Sequence, residues 1–261
     1  MSVSSASRNG PEAAPGKVLV VGGSGGIGSA VCRVLADDGR DVALTYHRNE
    51  EAARRTYEDV VARGRGTSVH ALDLTDEAAA ADLVARLGAE APLGGLVYAA
   101  GPFVTMQYVS ETAPGRFREQ VSQDAVGFFN VLQPILPQLR LTAGAVVAVS
   151  TAALRRYAKR DVLSVGPKAA VEAVVRAVAA EEGRYGVRAN SVGAGAVEAG
   201  MWDELKERHL PDDVLRTTLR AIALRRFGTA QDIAAAVGFL MSPRAGWITG
   251  QSLGVDGGYG L

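Results

Sequence analysis

The sequence predicts a single α/β domain, a doubly wound parallel sheet of about seven strands with helices on both faces. Three observations carry this. Short apolar runs alternate with amphipathic helical stretches along nearly the whole chain. The links between them are short, and parallel neighbours need a crossover of this strand–helix kind. The length of 261 residues suits one large core.

The elements follow in order. Residues 17–21 (KVLVV) form an apolar run that ends in glycines and read as a buried strand. In 26–38 the residues Ile27, Ala30, Val31, Val34 and Leu35 recur at helical spacing, and Gly39 stops them. A second strand is expected over 41–45, a polar helix over 50–63 and a third strand over 68–72. Thr75 and Asp76 cap a helix over 76–87. A fourth strand follows at 96–99, then a long helical stretch at 117–139, which Pro134 and Pro137 are expected to end or kink. The remaining elements are a strand at 145–150, a helix at 167–185, a strand at 187–192, a helix at 229–241 and a strand at 251–255. Residues 198–226 are long and polar, and read as a substrate lid.

Composition excludes several classes. Lys+Arg and Asp+Glu both number 28, so no net charge draws the chain to nucleic acid or an anionic membrane. One cysteine, Cys32, makes no intramolecular disulfide. Three histidines, His47, His70 and His209, stand at no metal-ligand spacing, so no metal is expected. No apolar run reaches the roughly 18 residues of a membrane span. Residues 1–16 lack an apolar segment and read as a disordered tail ahead of a domain at 17–261. A cytoplasmic setting is expected.

The turn after the first strand carries chemistry. Gly22-Gly23-Ser24-Gly25-Gly26-Ile27-Gly28 leads from a strand into a helix. Glycine lets backbone turn tightly and approach a pyrophosphate, and the helix N-terminus offers free N–H groups to the anion. The strand–turn–helix context makes dinucleotide binding the better reading than a ligand-free turn. Enzymes that use NAD place a carboxylate at the end of strand two, on the ribose hydroxyls. Here that point reads Thr45-Tyr46-His47-Arg48, with no carboxylate before Glu50. Arg48 and His47 suit a 2′-phosphate, so the cofactor expected is NADPH/NADP rather than NAD.

With these residues in view, the chain resembles the short-chain dehydrogenase/reductase family, nearest its β-ketoacyl reductase and enoyl reductase branches. The resemblance spans about 17–258. It rests on VVGGSGGIG at 20–28, ALDLTD at 71–76, AAG at 99–101, GPKAAVEAVVRAVAAEEGRYGVRANSV at 166–192 and ITGQSLGVDGG at 248–258. It implies a Rossmann-like sheet, a nicotinamide cofactor and a homotetramer or homodimer paired through the helices at 117–139 and 167–185. Gly22, Ser24, Gly25, Ile27 and Gly28 would line the pyrophosphate. Asp73, with Leu74 beside it, would meet the adenine. Ala100 and Gly101 would flank the ribose, Lys168 would grip the nicotinamide ribose, and Val197 the carboxamide.

The catalytic positions depart from that family. Its Tyr-x-x-x-Lys would place tyrosine at 164, where Ser164 stands, and the enoyl-reductase spacing lands on Asp161. The family serine falls at Thr151, after Ser150, and the family asparagine at Asp124. The tyrosine normally protonates the carbonyl oxygen, and losing such an acid costs about 10²–10⁴-fold. Candidates to handle the proton are Tyr157 in the loop after strand five, Tyr98 at the end of strand four, Lys168 through a water held by Ser164, and Asp124. Tyr157 also reads as a surface residue among Arg155, Arg156, Lys159 and Arg160, Tyr98 as core, and Asp124 as a partner of Lys168. A hydroxyaryl ketone, the arrangement of aromatic polyketides, could supply its own phenolic proton. Phe103, Met106, Tyr108 and Trp202 are candidate pocket walls.

The expected activity is therefore an NADPH-dependent reduction of a bulky ketone with an atypical proton donor. The alternatives are a non-redox dehydratase, isomerase or cyclase on the same scaffold, using Asp124, Thr151 and Ser164, and a non-catalytic cofactor-binding partner.

Overall fold

Strand β1 (Lys17–Val21) lies inside the sheet, between β2 (Val42–Tyr46) and β4 (Leu93–Tyr98). The structure, a computed structural model, describes residues 16–261. The sheet also holds β3 (Thr67–Ala71), β5 (Ala145–Thr151), β6 (Arg188–Ala194) and β7 (Ser252–Val255), in the order β3-β2-β1-β4-β5-β6-β7. All six pairings are parallel. The doubly wound sheet of seven strands is therefore as expected.

Side chains alternate across the sheet and split the core into two layers. Val18 and Val20 pack with α1 (Gly26–Asp37), α2 (Glu50–Val61) and α9 (Ala230–Met241). Leu19 and Val21 pack on the other face with α3 (Glu77–Glu90), α5 (Gly127–Thr142) and α6 (Val162–Glu182). The chain winds outward from β1 to β3, then returns to add β4 on β1's other side. That reversal leaves a crevice at the carboxyl ends of β1 and β4, where open α/β sheets bind ligands.

Several boundaries differ from the sequence reading. β4 begins at Leu93, three residues before the expected start at 96. Gly95 lies inside the strand, where a Cβ would sit 2.3 Å from the Met241 side chain of α9. The helix expected at 117–139 starts earlier, as α4 (Pro114–Val121), widens into a π turn at Ser122–Val126 and continues as α5 through both prolines. The buried stripe of Val131, Leu132, Ile135 and Leu139 keeps it helical past the two missing N–H groups. α6 starts at Val162, five residues before Pro167. The stretch at 198–226 is not a bare loop, because it folds into α7 (Trp202–Arg208) and α8 (Asp212–Ala221).

The tail expected at 1–16 lies outside the described residues except for Gly16. That residue has φ +109° and its carbonyl accepts from the Arg40 guanidinium at 3.0 Å. Among the described residues no helix is long and apolar enough to cross a membrane, and no cluster of His, Cys, Asp or Glu suits a metal.

Candidate active site

The glycine turn is built as its residue types require. Gly22 has φ +80°, and a Cβ on it would meet the Ala100 backbone at 2.9 Å. A Cβ on Gly28 would lie 2.1 Å from the Gly22 carbonyl oxygen. The Gly22 N–H donates to the Thr45 hydroxyl at 3.1 Å, which ties the turn to β2. Gly25 caps α1 without any side-chain hydrogen bond, and the first turn holds no acidic residue. The N-terminal N–H groups of α1 are thus left for an anion, so the cradle fits a dinucleotide pyrophosphate.

A cleft of about 450 Å³ runs from this turn past the ends of β4, β5 and β6 to the α7–α8 segment. Gly25, Ile27, Ala100, Gly101 and Val197 line it, as do Asp124, Thr151, Ser164 and Lys168. The expected cofactor edge and most of the expected catalytic residues therefore share one cavity. Met106 and Trp202 also face it, whereas Phe103 and Tyr108 are not among its walls.

Lys168 and Asp124 form its polar floor. The Lys168 Nζ donates to Asp124 Oδ1 at 2.9 Å and to the Ala100 carbonyl at 3.1 Å. The π turn carries Asp124 inward, and only 3 % of it is exposed. Tyr98 lies beneath, fully buried at 0 % exposure. Its hydroxyl donates to the Asp124 carbonyl at 2.9 Å and lies 3.1 Å from the carboxylate. Burial first, and then the Asp124 charge, push its phenol well above the ordinary range. Tyr98 does not line the cleft, so its role here is to buttress Asp124. Of the two readings of Asp124, the geometry realises the partner of Lys168.

Other positions lie apart. Tyr157 is about half exposed and outside the cleft. His47 and Arg48 are exposed just beyond β2. His47 Nε2 lies 3.7 Å from Asp73 Oδ2, and Arg48 has no ion pair among the described residues. The Asp73 carboxylate accepts from the Thr75 N–H and hydroxyl, which hold it below the usual carboxylate range. Leu74 packs beside Gly127 of α5. Gly22 and Ser24 in the turn and Gly28 inside α1 do not line the cleft.

The structure adds three groups to the cleft that were not singled out as candidates. Tyr259 reaches it from beyond β7, with the Arg156 guanidinium over its ring at 5.2 Å. Ser150 lines it with a buried hydroxyl that has no hydrogen-bond partner among the described residues. Asp161 lines it as the residue that opens α6, and burial pushes its carboxyl up to about 7. The signal for Asp161 was available as spacing, because 161, 164 and 168 fall on one helical face.

Comparison with known proteins shows the family and the fold. The family model described as enoyl-(acyl carrier protein) reductase matches residues 22–260. The chain belongs to the short-chain dehydrogenase/reductase family, which places it among oxidoreductases. It is 31 % identical over 250 residues to the 3-oxoacyl-[acyl-carrier-protein] reductase FabG of Staphylococcus aureus, across 92 % of this chain and 96 % of that one. It is 28 % identical over 253 residues to versicolorin reductase 1 of Aspergillus parasiticus, across 93 % and 96 %. A solved short-chain type dehydrogenase/reductase from Mycobacterium ulcerans superposes with a TM-score of 0.87 at 26 % identity, across 94 % of this chain and 90 % of that one.

Proposed function

We propose that this protein is an NADPH-dependent carbonyl reductase for a bulky, largely apolar ketone of the hydroxyaryl type, and that its proton donor is not the family tyrosine. The observation that carries the reading is the single cleft. At one end it has an anion cradle, at its floor a lysine, and beyond that a wall of Val104, Met106, Trp202, Leu205, Leu210 and Phe227. Reductase relatives, one of them a versicolorin reductase, support the same chemistry.

When bound, the nicotinamide cofactor supplies the hydride. The residues of the chain do the rest. The α1 N-terminus and the glycine turn hold the pyrophosphate. Arg48 and His47 favour a 2′-phosphate over a bare ribose. Lys168 spends two of its three N–H bonds on Asp124 and Ala100, which leaves the third for a ribose hydroxyl. Its charge is already matched by Asp124, so it has little acidifying effect on a neighbouring hydroxyl. Thr151 and Ser164 orient the carbonyl oxygen. The apolar wall excludes water from the reacting carbon.

The test pairs binding with turnover. Calorimetry should give micromolar affinity for NADPH and far weaker affinity for NADH. 8-Hydroxy-1-tetralone should consume one NADPH per alcohol formed. Absence of binding to both cofactors, or product formed without NADPH oxidation, would overturn the reading.

A further inference from the structure

Asp161 occupies an unusual position for an aspartate. It is the N-cap residue of α6, where an Asp side chain normally accepts from the first turn's N–H groups. Its carboxyl makes no such bond, with the backbone at φ −107° and ψ 21°. Among the described residues only its backbone carbonyl is engaged, by the Ser164 and Val165 N–H groups. The carboxyl is left to the cleft, one turn from Ser164 and two turns from Lys168 on the same helical face.

The approach to Asp161 is fixed by its neighbours. Arg160 adopts a left-handed φ of 71°, uncommon for a residue with a side chain. Its guanidinium turns away to donate to the Met106 carbonyl at 2.9 Å and to cover the Tyr108 ring at 5.7 Å. The Gln107 N–H donates to the Arg160 carbonyl at 2.9 Å. The segment before α6 is thereby pinned beside residues 106–108, of which Met106 lines the cleft. The titratable groups sharing the cavity are Asp124 and Lys168, already paired with each other, and Tyr259, stacked under Arg156. None of them forms an ion pair with Asp161, and burial is what holds its proton near neutrality.

We propose that Asp161 is the proton donor of the reduction, acting directly on the substrate carbonyl oxygen; this rests on the reductase reading above. As hydride from the reduced nicotinamide cofactor reaches the carbonyl carbon, the C=O π pair moves onto oxygen. The O–H bond of the Asp161 carboxyl breaks and a new O–H bond forms on the product alcohol. The carboxylate left behind takes a proton from water at the cleft mouth. An acid that titrates near the working pH is the efficient choice for such a transfer. It needs no acidifying lysine, and that accords with a Lys168 whose charge Asp124 has cancelled.

The experiment uses 1-tetralone, which has no phenol of its own, beside 8-hydroxy-1-tetralone. D161N should lower kcat for 1-tetralone by about 100-fold or more, with calorimetric NADPH affinity unchanged and partial recovery in D161E. Wild-type kcat should fall above about pH 7, and D161N should lose that limb. Infrared or carbon NMR titration of the free protein should find a carboxyl near neutrality that D161N abolishes. Full 1-tetralone turnover by D161N, or no carboxyl titrating above the ordinary range, would overturn the assignment. Loss of activity in Y259F with D161N active would move the role to Tyr259. Reduction of the hydroxylated ketone alone would assign the proton to the substrate. Failure of wild type on both ketones would remove the reductase reading itself, and this role with it.

Discussion

Asp124 and Lys168 are the residues on which the cleft depends. Both side chains are largely buried, at 4 % and 13 % exposure. Removing one partner of such a pair strands the other's charge away from water. D124A should therefore cost about 3 kcal/mol, read by urea unfolding. D124N, which keeps the shape and one acceptor, should cost less. At this scale the sequence was legible where chemistry follows from identity and spacing, as for Lys168 with Asp124. It was illegible where the environment decides. Tyr98 and Tyr157 have the same side chain, yet one is sealed under Asp124 and the other faces solvent. Asp161 read as the position of a missing tyrosine, because nothing in the letters shows that burial raises a carboxyl to about 7.

Helix ends give the second set of consequences. Thr229 and Asp232 form a reciprocal cap at the start of α9. The Thr229 hydroxyl accepts from the Asp232 N–H at 3.2 Å, and the Asp232 carboxylate accepts from the Thr229 N–H at 2.8 Å. T229A should cost about 1 kcal/mol, seen as a fall in Tm of roughly 2–4 °C for a chain of this size. A cap made the start of α3 readable, since Asp76 accepts from the first turn, whereas Asn49 and Thr229 do the same for α2 and α9 without having been read as caps. The π turn was not readable. Its extra residue carries no compositional mark, yet it turns Asp124 toward Lys168. The prolines at 134 and 137 misled for a related reason: burial of the helix's apolar stripe outweighs a local breaker.

For the whole molecule, two kinds of carboxyl set how stability varies with pH. Asp232, held down by Arg226 and then by the Thr229 N–H, and Glu182, held down by Arg140, lie below the ordinary range. Their stabilisation is complete above their unfolded pKa values, near 4, and is lost as pH falls through the folded ones. Asp161 acts in the opposite sense. The folded state holds its proton between about 4 and about 7, so stability declines as pH rises through that window. Wild-type Tm should drop from pH 5 to pH 8 relative to D161N, and thermal melts across that range check it. A constant difference between the two would mean that the carboxyl ionises normally. The sheet order has a further consequence, for synthesis rather than catalysis. β1 gains its inner neighbour β4 only when residue 93 is made, 76 residues after Lys17. At ribosomal rates of about 5–20 residues per second, the edge of KVLVV stays open for roughly 4–15 seconds. During that interval the nascent chain carries an unpaired apolar strand edge, the kind of surface that chaperones cover. Overproduction should therefore be limited by capture of this early stretch more than by the stability of the finished fold.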